Sequence, residues 1–211
     1  MPRILITPSI LACNLAHLQE EVDSVASADW LQVDVMDGHF VPNLTFGAPL
    51  LKDLKTKLPL DIHLMVSNPA DRIEEFIAVG AKNITCHAEA MPQRTDQKHL
   101  VAAIRGKGCT AGIAINPESH HDIIQTMDID LVLCMTVHPG HSGQQFIGDV
   151  LPKIRAIRSQ HPDVMIQVDG GIDERTAKLC REAGATNLVA ASYIFGSTDR
   201  KAAIKALRGK L

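Results

Sequence analysis

The chain has 211 residues, 45% of them hydrophobic, which suits one large domain with a well-developed core. Its 21 basic and 24 acidic residues give a formal net charge of −3, so no overall positive field would attract nucleic acid or an anionic membrane surface. No run approaches the roughly 20 apolar residues of a membrane-spanning helix, and the N-terminal apolar stretch is too short for a signal peptide, so we expect neither nucleic acid nor membrane as a partner.

Short β-branched apolar runs alternate with longer amphipathic stretches along the whole chain, a pattern typical of βα units around a parallel sheet. The predicted strands are 4–7, 31–34, 60–64, 83–87, 110–115, 131–135, 165–169 and 187–190. The predicted helices are 15–26, 49–57, 69–79, 97–107, 119–126, 148–160, 174–183 and 200–207. Eight units predict an α/β fold, a (β/α)8 TIM barrel, with residues 1–211 as a single catalytic domain. An open doubly wound sheet is the alternative, but no GxGxxG follows the first strand.

The five cysteines are odd in number, widely spaced and mostly set among apolar neighbours, and none forms a CxxC pair. This distribution is typical of reduced cysteines in a protein core, so we expect a cytoplasmic protein. The cysteines are Cys13, Cys86, Cys109, Cys134 and Cys180.

Polar side chains gather at or just beyond the carboxyl ends of the predicted strands, where barrel enzymes keep their active sites. They are Ser9, Asp34, Asp37, His63, His87, Asn116, Asp169 and Ser192. A carboxylate inside a buried parallel strand is costly unless it is paired or bound to a metal, so Asp34 and Asp169 indicate function. The plainer alternative for each is a loop-capping or turn-forming aspartate.

Strands two and seven can bring Asp34 and Asp169 to face each other across the barrel mouth, as a two-base proton transfer requires. An ordinary aspartate is a weak base for a carbon acid, and a divalent cation on the substrate oxygens would stabilise the enediolate left after proton removal. His63 is the natural additional ligand, although a lone histidine is more often a core residue.

Phosphate binding favours glycine loops, in which backbone N–H groups can approach the anion closely. Three candidate loops follow strands six, seven and eight, the region in which barrels commonly hold phosphate. They contain Gly140, His141, Ser142 and Gly143, then Gly170 and Gly171, then Ala191 and Ser192.

Three methionines lie at or next to predicted strand ends, and their flexible thioethers could cap a reactive intermediate. Ordinary core packing is the equal alternative. The three are Met36, Met65 and Met135.

The sequence resembles the ribulose-phosphate 3-epimerase family over nearly its whole length, from Pro8-Ser9-Ile10-Leu11 to Ile194-Phe195-Gly196. The motifs that carry the resemblance are Val33-Asp34-Val35-Met36-Asp37-Gly38-His39-Phe40-Val41-Pro42-Asn43, His63-Leu64-Met65, His87-Ala88-Glu89, Asn116-Pro117, Pro139-Gly140 and Val168-Asp169-Gly170-Gly171-Ile172.

This resemblance implies C3 epimerisation of D-ribulose 5-phosphate to D-xylulose 5-phosphate in the pentose phosphate pathway, with Asp34 and Asp169 as acid and base. It implies one divalent metal ion, held by Asp34, His63 and Asp169. Zn²⁺ is the usual family metal, with Fe²⁺, Mn²⁺ and Co²⁺ as competitors. It also implies that Ser9 and His63 touch the sugar phosphate and that the three loops hold its phosphate.

Three departures from the family pattern bear on these roles. Gln32 replaces the family's metal-binding histidine two residues before Asp34, so we expect lower zinc affinity and a shift toward Mn²⁺ or Mg²⁺ if the harder amide oxygen coordinates. His141-Ser142 stands where the family usually has Phe-Gly, and Ala191 where it usually has Gly. Ser142 and Ala191 each add a Cβ, which restricts the backbone conformations available near the phosphate.

Two alternatives stay open on the sequence alone. One is an epimerase of a related ketose phosphate such as allulose 6-phosphate, and the other is a non-catalytic sugar-phosphate binder with a degraded metal site. A decarboxylase would want a lysine among the strand-end carboxylates, and strands two, three and seven end in none. We also expect a homo-oligomer, and an outer ring of helices allows dimers or hexamers equally.

Overall fold

Eight parallel strands form a barrel in the computed structural model, which describes residues 3–209. Their neighbour order is β1-β8-β7-β6-β5-β4-β3-β2, and a parallel bridge between Ser9 and Gln32 joins the two remaining edges. The strands are β1 Leu5–Pro8, β2 Leu31–Met36, β3 Leu60–Met65, β4 Ala81–His87, β5 Thr110–Ile115, β6 Leu131–Met135, β7 Met165–Asp169 and β8 Asn187–Ala190. The predicted TIM barrel is confirmed.

Helices surround this barrel and cover its apolar outer side. They are α1 Leu18–Ser24, α2 Ile73–Ala78, α3 Arg94–Gly106, α4 Leu151–Gln160, α5 Glu174–Ala183, α6 Ser192–Phe195 and α7 Arg200–Arg208. The short α6 was not predicted; it begins at Ser192, inside a predicted phosphate loop. Within residues 3–209 no helix combines the length and apolar character needed to cross a membrane.

The predicted helix 49–57 is wrong, because only a single 3-10 turn, Ala48–Leu51, forms in this connection. The side chain of Gln19 meets both main-chain groups of Lys55: its Oε1 accepts from the Lys55 N–H at 2.9 Å and its Nε2 donates to the Lys55 carbonyl at 2.8 Å. Those groups are thereby taken from the hydrogen bonds that a helix would need.

The predicted helix 119–126 is also wrong, and the chain makes only the 3-10 turn His121–Ile124. The Asp122 carbonyl accepts the Gln125 N–H at 3.2 Å, as in a 3-10 turn, and also accepts Nη2 of Arg94 at 3.0 Å. Contacts from a neighbouring element therefore override the amphipathic pattern at both positions.

A polar network occupies one side of the barrel interior below the strand ends. Asp61 is fully buried and accepts hydrogen bonds from Gln167 Nε2 at 2.5 Å and Asn83 Nδ2 at 2.8 Å. On the opposite side, β5 and β6 contribute only small or apolar inward residues, including Gly112 and Leu133. A Cβ on Gly112 would lie 2.3 Å from Thr85 Oγ1, so glycine is required there by close packing.

We predict that Asp61→Asn removes a pH-dependent destabilisation of the metal-free protein. Burial raises the pKa of Asp61 to about 6, outweighing the two hydrogen bonds that lower it. The charged form is therefore disfavoured in the fold, and stability should fall as pH rises from about 4 through about 6. A shift of about two pH units corresponds to roughly 3 kcal/mol.

The measurement is urea unfolding of wild type and variant between pH 4 and pH 8 in chelator. The variant's advantage should grow across this window, because Gln167 can turn its amide, whose Oε1 is buried without a partner, to accept from the new amide. A constant difference between the two proteins at all pH values would contradict the prediction.

Candidate active site

A cavity of about 560 Å³ opens at the carboxyl ends of the strands. Its walls include the loop after β6, the turn after β7 and the start of α6 after β8. The two predicted catalytic carboxylates, Asp34 from β2 and Asp169 from β7, lie in its wall together with Ser9. The barrel thus brings together residues that are more than a hundred positions apart in the sequence.

Asp34, His63 and Asp169 form a compact cluster, with one potential ligand atom from each within 4.8 Å of the others. His63 Nδ1 is 2.8 Å from Asp34 Oδ1 and 3.7 Å from Asp169 Oδ2. Asp34 and His63 are almost fully buried, and Asp169 keeps 19% of its side chain exposed to the cavity. The Ser9 hydroxyl donates to Asp34 Oδ2.

Gln32 lies between the two carboxylates. Its Nε2 donates to Asp34 Oδ1 at 2.8 Å and to Asp169 Oδ2 at 2.7 Å, while its Oε1 is buried without a hydrogen-bond partner. The amide nitrogen therefore forms hydrogen bonds with two carboxylates that would otherwise repel each other. The amide oxygen takes no part in these hydrogen bonds.

The two carboxylates do not have equivalent surroundings. Burial, together with the negative charge of Asp34, raises the pKa of Asp169 to about 7, while His63 and Gln32 act in the opposite direction. Burial opposes a charge on His63, but the hydrogen bond and negative charge of Asp34 outweigh it and raise the pKa of His63. Asp169 is therefore a carboxyl group that can hold a proton near neutral pH.

The donor atoms of this cluster fit one divalent cation. Zn²⁺, Mn²⁺ and Fe²⁺ all bind carboxylate oxygens and imidazole nitrogens. Ligands of a tetrahedral ion lie about 3.4 Å apart, and the separations of 2.8 and 3.7 Å bracket this value. Turning the Gln32 amide would bring its unpartnered oxygen into the cluster as a fourth donor.

The predicted phosphate loops all line the cavity. Gly140, Gly143, Gly170 and Gly171 have positive φ angles, whereas none of the described non-glycine residues does. Ala191 has φ −106°, so its backbone does not need the glycine that the family usually has there. His141 and Ser142 likewise replace family residues without left-handed strain.

The three methionines border the same cavity and are buried. Met36 and Met65 pack with Val41, Leu11 and Phe40, whereas Met135 belongs to the apolar cluster around Leu133. The same three side chains therefore pack in the core and form part of the cavity wall.

Two other strand-end residues lie outside the cluster. Asp37 accepts N–H groups of His39, Phe40 and Ser67, and these hydrogen bonds overcome burial to lower its pKa to about 2. It therefore anchors the loop after β2. Asn116 contributes its main-chain N–H to Glu89 at 2.8 Å.

Sequence reasoning missed how His87 and Glu89 extend the cluster. His63 Nε2 is 2.9 Å from His87 Nε2, and His87 Nδ1 is 3.3 Å from Glu89 Oε2. The close spacing in His87-Ala88-Glu89 was the available signal, but it does not show which side chain contacts which.

A parallel barrel with buried carboxylates and a histidine at the carboxyl ends of its strands defines a TIM-barrel enzyme. The solved structure of 3-hexulose-6-phosphate synthase from Salmonella typhimurium has this fold: it superposes with a TM-score of 0.72 at 15% identity, covering 97% of this chain and 97% of that one.

The model of the ribulose-phosphate 3 epimerase family matches residues 5–195. Ribulose-phosphate 3-epimerase of Bacillus subtilis (strain 168) is 42% identical, covering 98% of this chain and 99% of that protein. The cytoplasmic isoform of the enzyme from Oryza sativa subsp. japonica is 41% identical, covering 96% of this chain and 92% of that protein. The chain belongs to the ribulose-phosphate 3-epimerase family and is an isomerase acting on carbohydrates.

We predict that Gly170→Ala destabilises the protein by about 2–5 kcal/mol. The residue has φ +120°, and a Cβ would lie 2.3–2.9 Å from the side chain of Val137. Both the left-handed backbone and the overpacking are unfavourable for alanine. Gly143→Ala is the matched control, because φ is +77° there but nothing lies within 4 Å, so we expect about 1–2 kcal/mol.

Denaturant unfolding of the two variants measures both effects. Adding Val137→Ala should recover part of the loss in Gly170→Ala and none in Gly143→Ala. Equal destabilisation of the two glycine variants would show that the contact with Val137 does not matter.

Proposed function

We propose that the protein inverts C3 of D-ribulose 5-phosphate to give D-xylulose 5-phosphate, using Asp34 and Asp169 for proton transfer through an enediolate. The observation that carries this proposal is the buried cluster of Asp34, His63 and Asp169, in which the two aspartates line the cavity and His63 lies behind them. Family membership supports the reaction class. The positions of the carboxylates on β2 and β7 support access to the reacting carbon from two sides.

The unequal surroundings of the carboxylates favour a division of roles. Asp34 is held in place by hydrogen bonds from Ser9, Gln32 and His63, so it is assigned to accept the C3 proton. Asp169, which is more exposed to the cavity than Asp34, is suited to deliver a proton to the opposite face. In the reverse reaction the roles exchange.

One divalent metal ion completes the proposed site, with Asp34, His63, Asp169 and the turned amide of Gln32 as its ligands. When bound, it supplies Lewis-acid stabilisation of the negative charge that develops on the substrate oxygens. Zn²⁺ is the first candidate by family resemblance. Mn²⁺, Fe²⁺, Co²⁺ and Mg²⁺ are competitors because an amide oxygen is a harder ligand than imidazole.

The substrate phosphate is proposed to bind the three loops of the cavity. Gly140–Gly143, Gly170–Gly171 and Ala191–Ser192 line the cavity, and their backbone N–H groups and the side chains of Ser142 and His141 are the proposed donors to the phosphate. With phosphate so placed, Ser9 lies toward the sugar, and Met36, Met65 and Met135 form the apolar wall over the reacting carbons. His63 is buried behind the cavity wall, so its proposed role toward the sugar is through the metal ion.

We predict that Asp34→Asn lowers metal-supported epimerase activity at least a thousandfold, because an amide cannot accept the C3 proton. The assay uses metal-stripped protein with Zn²⁺, Mn²⁺, Fe²⁺, Co²⁺ or Mg²⁺ added in turn. Turnover of D-ribulose 5-phosphate and deuterium incorporation at C3 in D2O are followed together. Asp61→Asn, another buried barrel carboxylate, should stay within tenfold of wild type.

The same assay separates the alternatives. Faster turnover of allulose 6-phosphate than of D-ribulose 5-phosphate would assign the related ketose phosphate as the substrate. Sugar phosphate that binds but exchanges no deuterium with any metal would identify a non-catalytic binder. Undiminished activity in Asp34→Asn would refute the two-aspartate mechanism.

We predict that Gln32→His raises zinc affinity by roughly 10–100-fold and increases the preference for Zn²⁺ over Mn²⁺. The imidazole replaces an amide whose nitrogen, in the structure, faces the carboxylates. Competition with a chromophoric chelator gives the two affinities, and Gln32→Ala controls for simple loss of the amide. Stoichiometric tight zinc in the wild type would contradict the expected weakening.

A further inference from the structure

We propose that Glu89 is a positioning residue that acts through His87 to fix the tautomer of His63, so that Nδ1 of His63 is the nitrogen presented to the carboxylate cluster. The relay consists of Glu89, His87 and His63 and runs from the loop after β4 to the metal-binding candidates on β2, β3 and β7. The expected effect of this relay on metal affinity rests on the proposed function, whereas the expected tautomer of His63 does not.

The relay starts at a carboxylate whose oxygens are held in different ways. Oε1 of Glu89 accepts the main-chain N–H of Asn116 at 2.8 Å and the hydroxyl of Ser119. Oε2 lies 3.3 Å from Nδ1 of His87. Burial works against the charge on Glu89, but these hydrogen bonds outweigh it and lower the pKa to about 2, so the group can only accept.

An accepting carboxylate determines which nitrogen of His87 carries hydrogen. Nδ1 of His87 donates to Oε2 of Glu89, which leaves Nε2 as the acceptor in a neutral ring. The His87 side chain is fully buried, and the centroid of its ring lies 4.9 Å from that of Phe40. The His87 ring therefore cannot reach water as an alternative hydrogen-bond partner.

The last step follows from the contact between the two histidines. Their Nε2 atoms are 2.9 Å apart, a hydrogen-bond distance that only one hydrogen can occupy. Because Nε2 of His87 is the acceptor, Nε2 of His63 must carry the hydrogen. Nδ1 of His63, 2.8 Å from Asp34, is left to hold either an exchangeable proton or a cation.

The tautomers can be read directly from long-range ¹H–¹⁵N correlation spectra of the ¹⁵N-labelled full-length chain. We expect hydrogen on Nδ1 of His87 and on Nε2 of His63, both in metal-free protein and after Zn²⁺ is added. Hydrogen on Nε2 of His87 in the metal-free wild type would overturn the proposal. This readout needs neither substrate nor metal, so it is independent of whether the epimerase proposal holds.

Glu89→Gln should reverse the relay. The amide oxygen stays with the two donors from Asn116 and Ser119, which places the amide NH2 toward Nδ1 of His87. Hydrogen then moves to Nε2 of His87 and off Nε2 of His63, and we expect zinc affinity to fall by roughly 10–100-fold. Chelator competition gives the affinity, and the same spectra give the tautomers.

Glu118→Gln is the matched control, because it removes the same charge from an exposed side chain nearby. Its zinc affinity should stay within threefold of wild type. A Glu89→Gln protein that keeps the wild-type tautomers and wild-type zinc affinity would refute the positioning role. If that variant does not fold, the wild-type spectra still decide the proposal.

Discussion

The close approach of two carboxylates inside the barrel mouth is the constraint on which the site depends. Asp34 and Asp169 come from strands that the barrel places on either side of β1 and β8, and burial makes their mutual repulsion costly. Ser9, Gln32 and His63 offset that cost with hydrogen bonds from three different strands or strand ends. The proposed proton transfer depends on these two aspartates being held in one cluster.

The barrel could be predicted from the sequence because eight apolar runs recur at similar spacing, and the structure confirms it. Much of the interior was also readable: polar residues two apart, as in Gln32 and Asp34 or Asp61 and His63, point to the same side of a strand. The predictions 49–57 and 119–126 failed at segments where Gln19 and Arg94, distant in sequence, form hydrogen bonds with main-chain groups. Such contacts leave no local pattern.

The residues of the candidate site were predicted from the sequence, but the hydrogen bonds between them were not. Resemblance named Asp34, His63 and Asp169, and the barrel places them together, while their roles stay predictions. The orientation of the Gln32 amide and the relay through His87 to Glu89 depend on three-dimensional hydrogen bonding that spacing cannot show. The replacement of glycine by Ala191 looked restrictive in sequence, yet the backbone there has a negative φ.

The bridging amide of Gln32 also bears on how the folded barrel tolerates two buried carboxylates. One NH2 group donates to both carboxylates at once, which offsets part of their repulsion. A neutral imidazole presents a single ring nitrogen toward such a pair and cannot bridge it in this way. Glutamine in this position therefore supplies, from within the protein, part of the stabilisation that two buried carboxylates need.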